Sequence, residues 1–76
     1  MNTNMATKSQ MTVEKVFQTS DGTWWVRGGI ANQEVKEKDA LVLREALEAA
    51  GGPVRVLYEA AGMYPTNYIT NIDVLP

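Results

Sequence analysis

Asp21-Gly22 is the feature that most constrains the fold. It stands between two stretches of strand-forming residues, Thr12–Ser20 and Thr23–Ala31. An Asp-Gly pair flanked by such stretches signals a β-hairpin closed by a two-residue type I′ turn, because both turn positions need positive φ. That turn sets a register in which Thr19 faces Trp24, Phe17 faces Val26, Lys15 faces Gly28 and Val13 faces Ile30. Gln18 then faces Trp25, and Val16 faces Arg27. Directly opposed residues share a face. Val13, Phe17, Trp24, Val26 and Ile30 form the more apolar face and are assigned to the core. Val16, Gln18, Trp25 and Arg27 point away from it. The neighbouring indoles Trp24 and Trp25 must separate, since successive strand residues point to opposite faces. Gly28-Gly29 within the second strand signals a bulge, a bend or a close backbone approach.

Beyond the hairpin, Asn32–Lys38 reads as a loop or a short edge strand around Val35. Asp39 has the chemistry of an N-cap for a helix over residues 40–50, which Gly51-Gly52 and Pro53 bring to an end. Helical periodicity gathers Val42, Leu43, Ala46, Leu47 and Ala50 on one stripe and leaves Leu41 on the wet side. A second hairpin follows, from Val54–Glu59 and Asn67–Leu75. Pairing Tyr58 with Tyr68, Val56 with Thr70 and Val54 with Ile72 makes one of its faces mostly apolar, and burial selects that register. Val54, Val56, Tyr58, Ile72 and Val74 then join the core, with Tyr68 at its edge. Arg55, Leu57, Ile69 and Asn71 lie on the other face. The connecting loop Ala60–Thr66 carries Met63 and Tyr64 at an apolar tip, either to recognise a ligand or to plug one end of the core. Residues 1–10 are polar and aperiodic and read as a flexible tail ahead of a single small β-rich domain over residues 11–76.

The predicted order is strand, strand, possible strand, helix, strand, strand. In that order it resembles the OB-fold barrel over roughly residues 12–75, which implies a small closed barrel. The competing architecture is an open antiparallel sheet with one helix on one face, an α+β two-layer domain.

Size and composition limit the function. A chain of 76 residues hides only about 60% of its unfolded surface, enough for one thin core. With no cysteine and no histidine, disulfides, zinc knuckles, a Cys nucleophile and a Ser-His-Asp triad are excluded. No phosphate-binding glycine loop or EF-hand pattern occurs, and the carboxylates show no selective spacing. The expectation is a non-enzyme with no cofactor and no metal. No apolar run is long enough to span a membrane and the first ten residues lack a signal-peptide core, so a cytoplasmic location is expected. Seven Lys/Arg against nine Asp/Glu, a net charge of −2, run against the positive balance usual in phosphate-gripping proteins.

One helix cannot cover both faces of an open sheet, so the second face is the candidate site. It collects Trp25, Arg27, Val16, Leu57, Ile69 and Arg55, with Met63 and Tyr64 in the adjoining loop. Trp and Arg are the residues most enriched at the energetic centres of interfaces. From sequence the favoured function is therefore a protein–protein interaction module, docking another protein or a second copy as a homodimer. Small acidic proteins of this kind include accessory and inhibitor proteins of phages and plasmids. The alternative is an OB-type domain that binds single-stranded nucleic acid through Trp25, Arg27, Arg55 and Tyr64. A third possibility leaves Trp25 as ordinary core in a sheet that closes or dimerises.

Overall fold

The computed structural model describes residues 8–29, 31–63 and 68–76. Five strands and one helix follow in the order β1 (Ser9–Gln18), β2 (Trp24–Gly28), β3 (Ala31–Val35), α1 (Glu37–Ala50), β4 (Val54–Ala61) and β5 (Tyr68–Val74). The strands close into a barrel in the spatial order β1-β2-β3-β5-β4. β1 pairs through its first half with β4 and through its second half with β2. β3 and β5 meet in parallel and seal the barrel. The result is an OB-like barrel with one helix, and closure removes the open-sheet alternative. It also removes the argument that an uncovered second sheet face needs a partner. The barrel's inner face is the core, and everything outside it is surface. β1 begins at Ser9, inside the stretch read as a tail.

The first hairpin forms where expected but turns differently. The amide of Gly22 donates to the carbonyl of Thr19 at 2.9 Å, and the amide of Thr19 donates to the carbonyl of Thr23 at 2.9 Å. Gly22 has φ +91°, while neither Ser20 nor Asp21 has positive φ. That excludes a type I′ turn and leaves a three-residue loop, Ser20-Asp21-Gly22, whose last residue takes the left-handed conformation only glycine adopts freely. One extra loop residue moves the register by one. Phe17 faces Trp25, Val16 faces Val26, and Gln18 faces Trp24.

The slip reassigns faces. Val16 turns inward and packs against the core, and Phe17 turns outward, the reverse of the sequence expectation for both. The separation of the two indoles survives, with Trp24 inward and Trp25 outward. Val13 nevertheless stays buried, because an irregularity between Val13 and Lys15 inserts one residue and flips the parity of β1. Gly28 lies opposite that irregularity. A Cβ there would stand 2.8 Å from Met11 Sδ and 2.9 Å from the Thr12 carbonyl oxygen. The glycine is what lets the bent β1 cross so closely.

The same device acts in the second hairpin. β4 and β5 pair Leu57 with Asp73, Tyr58 with Ile72 and Glu59 with Asn71, and then shift by one so that Ala60 meets Ile69. This register differs from the Tyr58–Tyr68 pairing that burial selects from sequence. The shift turns Ile69 inward, where it is fully buried. Its expected place on the outer face is thereby corrected. Val74, expected in the core, is 36% exposed at the end of β5.

α1 starts three residues before its expected first residue. Lys36 is the N-cap, no side chain caps the helix, and Asp39 sits inside the first turn with Glu37. Acidic residues there complement the positive end of the helix dipole. Gly51 closes the helix at φ +69°, its amide donating to the Leu47 carbonyl. The helix packs on β1, β2, β4 and β5 across one end of the barrel. A barrel mouth is narrower than a sheet face, so the buried stripe is narrow: Ala40 and Leu43, with Leu47 beside them. Val42, expected in the core, is 54% exposed. Among the described residues the fully buried set is Val13, Val26, Ala40, Leu43, Val56 and Ile69, with Val35 of β3 at 4%. Ile30, also expected in the core, lies outside the described residues.

Candidate functional site

The outer surface of β1, β2 and β3 carries the chemistry. On β1 and β2, Phe17 faces Trp25, and two residues further along Lys15 faces Arg27. β3 continues both rows, with Glu34 beside Trp25 and Asn32 beside Arg27. β5 extends the first row by setting Tyr68 beside Glu34. Three aromatic side chains therefore line one row across four neighbouring strands, with a carboxylate between the second and third. Strand spacing puts Phe17 and Trp25 about 5 Å apart and Trp25 and Tyr68 about 10 Å apart. Phe17 and Trp25 are half-buried and Tyr68 is 44% exposed.

Hydrogen bonds orient the central indole. Trp25 Nε1 donates to Thr19 Oγ1 at 3.4 Å, and Thr19 Oγ1 donates to Asp21 Oδ1 at 2.7 Å. The backbone amide of Thr23 donates to the same carboxylate oxygen at 3.0 Å. The Thr19 hydroxyl, and after it the Thr23 amide, hold the Asp21 carboxyl below the ordinary aspartate range. Asp21 is thus a firm anionic anchor at neutral pH. The loop that sets the register also fixes the ring.

The second row is cationic. Lys15 Nζ lies over the Phe17 ring, 5.2 Å from its centroid. Arg27 Nε stands 3.9 Å from Glu14 Oε1, and its Nη1 donates to Asn32 Oδ1 at 3.5 Å. Like charges directly opposite each other destabilise a sheet, and Glu14 is the carboxylate beside Arg27. On the inner side, the Arg44 guanidinium of α1 covers Trp24 at 5.6 Å. This keeps Trp24 as part of the barrel's lid.

Of the described residues proposed from sequence, only Trp25 and Arg27 lie on the outer face of these strands. Arg55 and Leu57 point outward from β4. Arg55 faces Thr12, about 17 Å along β1 from the level of Phe17, and donates to Gln10 Oε1. Met63 lies two residues beyond Ala61, which pairs with Tyr68 at the end of the aromatic row, and is 81% exposed. Tyr64 lies outside the described residues. Lys15, Phe17, Glu34 and Tyr68 were missed. Cross-strand pairing held the signal for the first two: the observed register pairs aromatic with aromatic and valine with valine, whereas the expected one mixes them.

The net charge is also localised. α1 holds four acidic and two basic residues, which accounts for the whole −2, and the rest of the chain balances at five of each. Among the described residues no three His, Cys, Asp or Glu side chains are grouped to hold a metal ion, and no helix is long and apolar enough to cross a membrane. No protein-family model matches the chain, and no curated protein or solved structure is significantly similar to it.

Proposed function

We propose that this chain is a non-catalytic binding module that takes single-stranded nucleic acid on the outer face of β1–β3. The Lys15–Arg27 pair set directly beside the Phe17–Trp25 pair carries the reading. The two rows lie about 7 Å apart along the strands, a gap that a base and its own backbone phosphate can bridge. Aromatic platforms beside a cationic track are how single strands are held without reading sequence. A bound phosphate would also relieve the repulsion between the two opposed cations. In OB-type barrels the face of the second and third strands is where oligonucleotides and oligosaccharides bind.

The same face suits a protein partner less well. The centre of a protein interface is depleted of charge, and here Lys15, Arg27 and Glu34 are interleaved with the rings. The reading favoured from sequence, an accessory or inhibitor module of the kind phages encode that docks a protein or a second copy, keeps one observation in its favour. Glu14 and Glu34 lie within the face and oppose phosphate. A nucleic-acid ligand would place the protein's work in the cytoplasm, in keeping with a cysteine-free chain.

Salt separates the two readings. Binding of labelled oligo-dT and oligo-U, followed by fluorescence anisotropy over a range of salt, should weaken with a log–log slope of about −1.4, from about 0.7 for each phosphate neutralised by Lys15 and Arg27. No binding at low salt removes the nucleic-acid reading.

A further inference from the structure

Glu34 is the side chain that general single-strand binding does not use. A carboxylate repels phosphate, yet this one stands between Trp25 and Tyr68 in the aromatic row. The described residues give it no hydrogen bond or ion pair. It lines a shallow cleft of about 70 Å³ together with Val35, Lys36, Tyr68 and Ile69. That is room for the edge of a base rather than a whole one. The lining brings a carboxylate acceptor, a lysine donor and a tyrosine to one cleft.

We infer that this cleft reads guanine, with Glu34 as the base-selecting residue. The inference rests on the nucleic-acid reading above. The Watson–Crick edge of guanine presents O6, N1–H and N2–H in sequence: one acceptor followed by two adjacent donors. Lys36 complements the acceptor, and the two carboxylate oxygens of Glu34 complement the donors. Thymine and uracil present a single N–H flanked by two carbonyl oxygens, which a carboxylate repels. Adenine and cytosine present one amino group beside an acceptor nitrogen, so one carboxylate oxygen faces a lone pair. Stacking on Trp25 or Tyr68 holds any base, and Glu34 decides which base gains most.

The test compares three labelled single strands of equal length: oligo-dT, alternating dT/dG and alternating dT/dI. Inosine keeps O6 and N1–H but lacks the N2 amino group. The wild-type chain should bind dT/dG about tenfold or more tighter than oligo-dT, the scale of one good bidentate base contact, with dT/dI between them. In Glu34→Gln, the ratio between dT/dG and oligo-dT should collapse towards one. The ratio is the readout because removing a negative charge raises affinity for every strand. Circular dichroism confirms that the exposed substitution leaves the barrel intact. Equal wild-type affinity for dT/dG and oligo-dT overturns the guanine assignment alone. So does a Glu34→Gln protein that keeps the preference. Binding to none of the three at low salt overturns the nucleic-acid reading with it.

Discussion

Trp25→Ala should remain folded and lose about 10- to 100-fold in affinity for oligo-dT, the scale of one base–aromatic stack. The indole is half-buried and points away from the barrel interior, so its loss leaves the core intact. The stability cost should be that of its pairing with Phe17, about 1 kcal/mol. Phe17→Ala should reproduce both effects more weakly. The double variant should lose less than the sum, because each ring supports the other. Anisotropy titrations paired with thermal melts measure both quantities on the same samples. An unfolded Trp25→Ala protein would mean that the ring is core and that the face has been misassigned.

Leu43→Ala and Val42→Ala, neighbours on α1, should differ widely in what they cost the domain. Leu43 is fully buried at the barrel mouth and Val42 is 54% exposed. Truncating a buried leucine costs about 2–5 kcal/mol through lost transfer energy and the cavity left behind. Truncating an exposed valine stays within about 0.5 kcal/mol. A chain of this length holds roughly 4–11 kcal/mol in total, so Leu43→Ala should remove a large share of it. Urea titrations should show a midpoint close to wild type for Val42→Ala and a much lower one for Leu43→Ala. Equal losses would mean that the helix presents a broad stripe to its support, as it would on an open sheet.

That contrast also marks how far the sequence could be read. The helix and its glycine stop were legible from periodicity and from Gly51. Its buried face was not, because periodicity cannot tell a flat support from a round one, and only the round one leaves Val42 wet. The hairpin at Asp21-Gly22 was legible, and so was the parting of Trp24 and Trp25, since strand parity needs no register. The register was not, because Asp-Gly suits both a two-residue turn and a three-residue loop with glycine last. That single residue hid Phe17 in the expected core and placed Val16 on the surface. Ile69 was lost to a local irregularity in β5 that flips parity without any glycine at that position to announce it. Gly28-Gly29, by contrast, did announce the close crossing of β1. The candidate site was therefore half-legible: Trp25 and Arg27 came from parity, while Lys15, Phe17, Glu34 and Tyr68 required the true pairing and the closure of β3 on β5.

The measurement that bears most directly on the binding face uses the two indoles as separate reporters. In Trp24→Phe, the remaining indole is Trp25 on the outer row. In Trp25→Phe, it is Trp24 under Arg44. Titration with unlabelled oligo-dT at low salt should quench the emission of Trp24→Phe as bases stack on the exposed ring, and should leave that of Trp25→Phe nearly unchanged. Unchanged emission from Trp24→Phe at saturating oligonucleotide, or quenching that follows Trp24 instead, would contradict the assignment of this face.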